Sequence, residues 1–213
     1  MAYKSTNRNS EDCMKINIRL EEEKDYRRVE EITRAAFDYP DRIKRGRIGC
    51  PYEHWMVHEL RQRDGIMALS FVAELENGTI IGHIICSNAV VKKENQVLPV
   101  LNFGPLSVLP EYQRQGVGKA LVQAMIEQAK RSDYGAILFF GRPEYYPQFG
   151  FKEAVFYEIS DSEGFNYPAF MAMELKKGYL KDIRGGKYFE SDIYNDELNI
   201  ETVRAFDRKF TNR

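Results

Sequence analysis

The spacing of apolar and polar residues divides the chain into short strands and helices. Alternating positions or brief apolar runs predict strands, at residues 15–20, 68–75, 80–91, 97–109, 136–140, 152–160 and 168–175. Apolar residues that recur at three-to-four spacing predict helices, at residues 21–38, 51–63 and 116–133. Between the strands at 68–75 and 80–91, the pair Asn77-Gly78 is typical of a tight hairpin turn.

This order of elements predicts an α+β, or mixed α/β, fold in which antiparallel hairpins lie beside a strand–helix–strand unit, with helices on both faces of one sheet. Gly104-Pro105 interrupts the strand at 97–109, and because proline has no N–H for the ladder we expect a bulge there. We expect a polar N-terminal segment at 1–14, a main domain at 15–175 and an aromatic-rich extension at 176–213 that packs on the domain.

Composition excludes several classes of protein. The chain has 213 residues, of which 43% are apolar and 30% charged, as in an ordinary globular domain. A net charge of −1 gives no sign of a nucleic-acid partner, and no apolar run is long enough to cross a membrane. Because the N-terminus lacks a secretory signal and the three cysteines form no CxxC or Cys/His cluster, we expect a cytoplasmic protein without a zinc site.

The most informative segment is the turn between the strand at 97–109 and the helix at 116–133. It reads Gln113-Arg114-Gln115-Gly116-Val117-Gly118 and leads directly into the helix. A helix N-terminus carries N–H groups without acceptors and a partial positive charge. Two glycines in this turn leave room for a ligand oxygen to reach the backbone. The segment therefore predicts an anion site that suits a pyrophosphate.

Two better-known phosphate-binding loops do not fit this segment. A P-loop would need a glycine where Gln113 stands and a hydroxyl residue where Ala120 stands. A dinucleotide-binding turn would need a small residue where Leu121 stands, and an acidic ribose ligand at the end of the next strand, which residues 138–140 do not supply. The pattern that fits is Gln-x-x-Gly-x-Gly.

This pattern resembles the coenzyme A signature of the GNAT superfamily of N-acetyltransferases, Gln/Arg-x-x-Gly-x-Gly/Ala. As in that superfamily, a Leu-x-Val-x-Pro strand end precedes it, here at residues 106–110. A second match is Tyr146 with Gly150-Phe151, which resembles the Tyr-x-x-x-Gly-Phe of GNAT enzymes. The resemblance covers residues 15–175. Within the superfamily, the residues of both motifs look closest to a bacterial group of uncharacterised N-acetyltransferases with a C-terminal tail of this type.

The resemblance implies a GNAT-like acyl-CoA N-acyltransferase fold, with a mixed, largely antiparallel, twisted sheet of about seven strands in which the fourth and fifth strands splay apart. It also implies acetyl-CoA as the cosubstrate and no metal. Main-chain groups of the strand end would bind the pantetheine arm, and the turn would hold the pyrophosphate. The residues to which the resemblance gives a cofactor-binding role are Leu106, Ser107, Val108, Gln113, Arg114, Gln115, Gly116, Val117, Gly118, Lys119 and Ala120.

The implied reaction transfers an acetyl group from acetyl-CoA to a primary amine that attacks the thioester directly. The resemblance gives Tyr146 the role of protonating the leaving thiolate, and Tyr145 would take its place if the register were shifted by one residue. A phenol held at hydrogen-bond distance is a reasonable proton donor to a thiolate. A backbone N–H near Leu106 would stabilise the oxyanion.

The motifs do not fix the base that deprotonates the amine. His83, beside the cofactor strand, and Glu111, just past it, are candidate catalytic residues, although a structural histidine and a solvated turn are the commoner roles at such positions. Further candidates are His54, His58, Glu59 and Glu144. Cys86 has no visible partner for nucleophilic catalysis, so we expect a small buried hydrophobe. The basic run at 42–47 could clamp an anionic acceptor or form a solvated loop.

Two other functions stay open at this point. One is a catalytically silent coenzyme-A-binding module with a regulatory or interaction role, and the other is an interaction domain without coenzyme A. The sequence does not identify the acceptor, which could be a small amine, a peptide N-terminus or a lysine. The extension at 176–213 could close the acceptor pocket or form a contact in a homodimer.

Overall fold

The structure, a computed structural model, describes residues 15–38, 51–195 and 197–211. Its helices are Tyr26–Phe37 (α1), Glu53–Gln62 (α2), Val117–Ala129 (α3) and Ile200–Thr211 (α4). Its strands are Ile16–Leu20 (β1), Gly65–Leu75 (β2), Ile80–Lys93 (β3), Gln96–Val108 (β4), Ala136–Phe140 (β5), Lys152–Glu153 (β6), Phe170–Glu174 (β7) and Lys187–Phe189 (β8). The N-terminal segment at 1–14 and the basic run at 42–47 lie outside the described residues.

The strands form one sheet in the order β1-β2-β3-β4-β5-β7-β6. Neighbouring strands are antiparallel except β4 and β5, which are parallel. Strand β2 leaves β3 at Ser87, and β8 pairs with β3 further along, at Val90, Val91 and Lys92. The prediction of a mixed, largely antiparallel sheet flanked by helices is confirmed, and the C-terminal extension adds β8 to it.

Helices α1 and α3 form because their apolar residues recur at helical spacing and are buried in the core. Val29 and Ile32 of α1 and Leu121 and Met125 of α3 are fully buried. Burying an aliphatic side chain of this size contributes about 1.5–3 kcal/mol each. Among the helices of the described ranges, none is long and apolar enough to cross a membrane.

The first helix begins later than its apolar pattern predicts. A single 3-10 turn, Glu23–Asp25, comes before α1. The carboxylate of Asp25 accepts a hydrogen bond from the backbone N–H of Glu22 at 2.9 Å and another from Arg19 at 2.6 Å. These bonds to Asp25 fix a cap, so the chain enters α1 only at Tyr26.

The strand predicted at 152–160 is largely absent. Only Lys152 and Glu153 pair with β7, and Ala154–Tyr157 form a 3-10 turn. Val155 and Phe156 are both exposed, so this segment lacks the alternate burial that holds a strand on a sheet. The periodicity of the sequence was misleading here because the buried residues, Ala154 and Ile159, are five positions apart and do not alternate with exposed ones as in a strand.

The C-terminal extension contacts the rest of the chain at several places, of which two illustrate how it is held. Tyr188 of β8 is buried, and its hydroxyl lies 3.0 Å from the carbonyl oxygen of Leu138 on β5. Asp207 of α4 accepts a hydrogen bond from Arg34 of α1 at 2.7 Å and lies 3.2 Å from Nε2 of His54 on α2. The extension is thus part of the same folded body.

Strands β4 and β5 pair at Leu101 and Ile137 and then separate. The pairing of β4 with β3 shows how the strand changes course: Ile84 pairs with Leu106, and Cys86 pairs with Phe103. Two residues of β4 therefore stand opposite one residue of β3, which confirms the bulge predicted at Gly104-Pro105.

A network of buried charged and polar groups joins the helices to the sheet. Glu21 accepts hydrogen bonds from Arg61 at 2.5 Å and from the Ser70 hydroxyl at 2.7 Å, and Ser70 lies 3.0 Å from Nε2 of His83. Burial alone would raise the pKa of Glu21, but its attraction to His83 and Arg61 outweighs burial and lowers the pKa to about 2. Removing one member of such a buried pair leaves the other charge unpaired and destabilises the fold.

We expect Glu21→Gln to lower the free energy of unfolding by about 3 kcal/mol at neutral pH. Because the folded-state pKa of Glu21 is depressed, this contribution is present above pH 4.5, the ordinary pKa, and is lost as the pH falls towards 2. Urea unfolding of the wild type and the variant at pH 7 and at pH 3 measures the difference. A difference that does not shrink at pH 3 would contradict this role, and Glu23→Gln, at an exposed position of the same segment, is the control.

Candidate functional site

A cavity of about 730 Å³ opens where β4 and β5 separate. Strand β4 lines it at 102–106 and at Val108, and β5 lines it with Phe139 and Phe140. Further walls come from α1, α2, the turn before α3, the segment after β5 and the C-terminal extension. The gap in the sheet is therefore enclosed by elements that are far apart in the sequence.

Helices α1 and α3 lie on opposite faces of β4. Side chains along a strand alternate between its faces. The hydroxyl of Ser107 lies 2.8 Å from that of Thr33 on α1. A Cβ atom built on Gly118 of α3 would lie 3.8 Å from side-chain carbons of Leu106 and of Val108. Because both helices also line the cavity, the gap between β4 and β5 is open to both faces of the sheet.

The turn before α3 leaves a run of backbone N–H groups without backbone acceptors. Arg114 and Gly116 have φ angles of 60° and 92°, and the side chain of Gln113 donates a hydrogen bond to the carbonyl of Val108 at 3.0 Å. Within the described residues, no backbone N–H from Arg114 to Lys119 donates to a backbone carbonyl. With the helix dipole behind them, these groups form a site suited to an anion.

The structure brings part of the predicted cofactor-binding set to the cavity. The residues that line it are Leu106, Val108, Gln113, Arg114, Gly116, Gly118 and Lys119. Ser107, Gln115, Val117 and Ala120 do not line it. Ser107 and Val117 are buried in the protein, and the side chain of Gln115 donates to the carbonyl of Glu111 at 2.6 Å. The alternation along β4 explains why Ser107 points away while its neighbours face the cavity.

Both tyrosines of the second motif line the cavity, at different places. The ring of Tyr146 packs edge-on against Phe139 and Phe103, with ring centroids 4.6 and 5.6 Å apart. Its ring thus contacts one aromatic ring from β4 and one from β5. The hydroxyl of Tyr145 instead approaches α3, 3.5 Å from the place where a Cβ atom on Gly118 would stand. Burial raises the pKa of Tyr146 above the ordinary value, so its phenol keeps the proton at neutral pH.

The two candidate bases in the sequence-predicted catalytic set do not lie at the cavity. His83 is fully buried in the polar network with Ser70 and Glu21. Glu111 belongs to an exposed 3-10 turn, Pro110–Tyr112, and does not line the cavity. Contacts with Ser70 and Glu21 hold His83 in the core, and neither His83 nor Glu111 is part of the cavity wall.

The other titratable candidates are also outside the cavity lining: His54, His58, Glu59, Glu144 and Cys86. Cys86 is fully buried, and burial raises the pKa of its thiol, so it stays protonated and unreactive. In the parts of the chain that the structure describes, no three His, Cys, Asp or Glu side chains are grouped as a metal site requires.

The sequence motifs miss the wall that the C-terminal extension supplies. Glu190, directly after β8, lines the cavity and accepts hydrogen bonds from the Asn102 amide at 2.8 Å and from the Tyr188 hydroxyl at 3.2 Å. Burial raises the pKa of Glu190 to about 7, although both hydrogen bonds oppose the shift. Tyr194 also lines the cavity and donates a hydrogen bond to the carbonyl of Gly104 at 3.1 Å. No spacing rule in the sequence connects these residues with β4.

Comparisons with known proteins find one family model that is similar to the segment forming the core of the site. Residues 68–153 match the family model described as an acetyltransferase (GNAT) domain. Escherichia coli YhbS, an uncharacterised N-acetyltransferase, is 29% identical over 130 residues, which is 61% of this chain and 76% of YhbS. Escherichia coli YjhQ, also an uncharacterised N-acetyltransferase, is 36% identical over 85 residues, which is 40% of this chain and 46% of YjhQ.

Solved structures share the fold at lower sequence identity. The crystal structure of Escherichia coli YhbS in complex with CoA has a TM-score of 0.73 at 23% identity, over 88% of this chain and 96% of that one. A GNAT family acetyltransferase from Brucella melitensis in complex with acetyl-CoA has a TM-score of 0.61 at 24% identity, over 85% of this chain and 99% of that one.

The matched segment at 68–153 runs from β2 to β6 and includes the bulged strand, the turn before α3 and Tyr146. Both motifs on which the comparison with GNAT enzymes rested therefore lie inside it. The resemblance is confirmed for this segment, which matches the model of a GNAT acetyltransferase domain.

Proposed function

We propose that the protein is an N-acetyltransferase that moves the acetyl group of acetyl-CoA to a primary amine. The GNAT domain and the relatives named as N-acetyltransferases support acyltransferase activity, and two solved neighbours hold CoA or acetyl-CoA. In this chain the proposal rests on one observation. The separation of β4 from β5 brings an unpaired strand edge, a helix N-terminus and Tyr146 into one cavity.

Acetyl-CoA would bind along the open edge of β4. Beyond Leu101 this edge has no partner strand in the described chain, so its backbone groups can pair with the amide groups of the pantetheine arm. The carbonyls of Gly104 and Val108 already accept side-chain hydrogen bonds, so the other backbone groups of the edge would supply this pairing. The pyrophosphate would bind the N–H groups from Arg114 to Lys119, which have no backbone acceptors. The side chains of Arg114 and Lys119 would add positive charge beside it.

The thioester would lie in the gap between β4 and β5, near Tyr146. The amine would attack the carbonyl carbon directly, and a backbone N–H beside the bulge would stabilise the oxyanion. As the C–S bond breaks, Tyr146 would give its proton to the sulfur. Burial raises the pKa of Tyr146, so the phenol is protonated at neutral pH, as a proton donor must be, and the same shift makes it a weaker acid. A direct attack is favoured over an acetylated enzyme because Cys86 is buried and protonated.

We expect Gly118→Glu to weaken acetyl-CoA binding by about 100-fold or more, because a carboxylate would stand beside the proposed phosphate site and like charges at close range cost several kcal/mol. Titration calorimetry of both proteins with acetyl-CoA measures the change. Gly118→Ala is the matched control, since its Cβ atom would have no neighbour closer than 3.5 Å and should leave the affinity within about threefold. Equal affinity of Gly118→Glu and the wild type would mean that the phosphate site lies elsewhere.

We expect Tyr146→Phe to slow acetyl transfer by about 10²–10⁴-fold, as for removal of a general acid, with acetyl-CoA affinity unchanged. Steady-state assays of CoA release with an excess of amine, together with calorimetry, separate rate from binding. Tyr145→Phe is the matched control and should cost much less, because its hydroxyl lies at α3. A larger loss in Tyr145→Phe would transfer the role to Tyr145. Binding without any transfer by the wild type would favour a silent coenzyme-A-binding module.

A further inference from the structure

We propose that Glu190, which the C-terminal extension contributes, binds the ammonium group of the acceptor and removes its proton. This inference rests on the proposed function, and it assigns the base that the motifs left open. Glu190 is outside the segment at 68–153 that matches the GNAT domain, so the assignment depends on the contacts of this chain.

The carboxyl of Glu190 is held where the two strands begin to separate. Its Oε2 atom accepts hydrogen bonds from the Asn102 amide and the Tyr188 hydroxyl. Asn102 directly follows Leu101, the position at which β4 pairs with β5. Among the described residues, none donates a hydrogen bond to the Oε1 atom. One oxygen thus fixes the carboxyl in the cavity wall, and the other is available to a ligand.

The extension is anchored so that Glu190 stays at the gap. The hydroxyl of Tyr52, directly before α2, lies 2.5 Å from the carbonyl oxygen of Ile193 and 2.9 Å from that of Asn195. The hydroxyl of Tyr194 lies 2.8 Å from that of Ser87 and donates to the carbonyl of Gly104, in the bulge itself. The extension is therefore tied to the strand that would hold the thioester.

The charge of Glu190 suits a base that works near neutral pH. Burial raises its pKa to about 7, where a carboxylate is basic enough to take a proton and still be ionised in part. Tyr188 and Tyr194, which contact or adjoin it, have pKa values that burial raises, so both stay neutral. Glu53 and Arg142 also line the cavity, from α2 and from the segment after β5.

The proposed step balances atoms and charge. The acceptor's ammonium gives one proton to the carboxylate of Glu190, and the neutral amine then attacks the carbonyl carbon of the thioester. The C–N bond forms and the C–S bond breaks, with its electron pair on sulfur. Tyr146 protonates the sulfur and regains a proton from the nitrogen of the new amide. Glu190 returns its proton to water. The products are an acetamide, CoA with a free thiol and one proton.

The test compares two small nucleophiles that fit a cavity of this size, ethylamine and hydroxylamine. Ethylamine is an ammonium ion at neutral pH and needs a base, whereas hydroxylamine is already largely unprotonated. We expect Glu190→Gln to lower kcat/KM for ethylamine by about 10²–10⁴-fold, and for hydroxylamine by less than about tenfold. The rise of the ethylamine rate through pH 7 should disappear in the variant.

Controls separate this role from a structural one. A glutamine at position 190 keeps an oxygen that can accept from Asn102 and Tyr188, so the melting temperature and acetyl-CoA affinity should match those of the wild type. Glu197→Gln, at an exposed position of the same extension, should match the wild type in every assay.

The possible outcomes separate the inference from the function on which it rests. Three results would overturn the assignment of Glu190. The Glu190→Gln variant could lose activity equally with both nucleophiles, or keep the wild-type rate with ethylamine. Alternatively, the wild type could acetylate hydroxylamine but not ethylamine. A wild type that binds acetyl-CoA and acetylates neither nucleophile would overturn the proposed transfer, and the assignment with it.

Discussion

The end of the β4–β5 pairing at Leu101 and Ile137 is the constraint on which the site depends. Two residues of β4 oppose one of β3 at the bulge, so β4 changes direction while it stays paired to β3. The backbone groups on the other edge of β4 are left without a strand partner, and backbone N–H and C=O groups need one. Water or an extended ligand must supply it, which is why an amide-bearing arm fits this gap. Phe103 and Phe139, two residues beyond the last paired positions, pack with ring centroids 4.0 Å apart and so connect the two strands where they begin to separate.

The residues that line the two sides of the gap come from different parts of the chain. The α3 face carries the turn with free N–H groups, and it lies inside the segment that matches the GNAT domain. Glu190 and Tyr194 come from the extension, beyond the matched segment. We therefore expect cofactor chemistry to be set by the matched segment, and acceptor chemistry by the extension together with α1 and α2. Differences in substrate among related proteins would then be found in their C-terminal residues.

The turn before α3 and the tyrosine motif, both of which contribute to the cavity lining, could be found in the sequence because their signals are local. The glycines of the turn lie within one short segment, and so do the aromatic residues around Tyr146. Each segment can therefore be identified without knowing how the rest of the chain folds. The bulge could also be predicted, since proline cannot donate to the ladder. The contact of Glu190 with Asn102 could not, because it joins residues 88 positions apart and depends on β8 taking a place beside β3. The role of His83 was ambiguous for a related reason. Its burial distinguishes a structural histidine from a base, and only the fold shows that burial.

Hydrogen–deuterium exchange of the full chain, with and without acetyl-CoA, tests most directly the claim that the open edge of β4 and the turn before α3 hold the cosubstrate. The account predicts slower exchange at the backbone amides of 102–108 and of 114–119 when acetyl-CoA is present. The amides around Glu21, in the buried network outside the cavity lining, should be unchanged. Slower exchange confined to other segments would contradict this claim. So would unchanged exchange throughout the chain at a saturating concentration of acetyl-CoA.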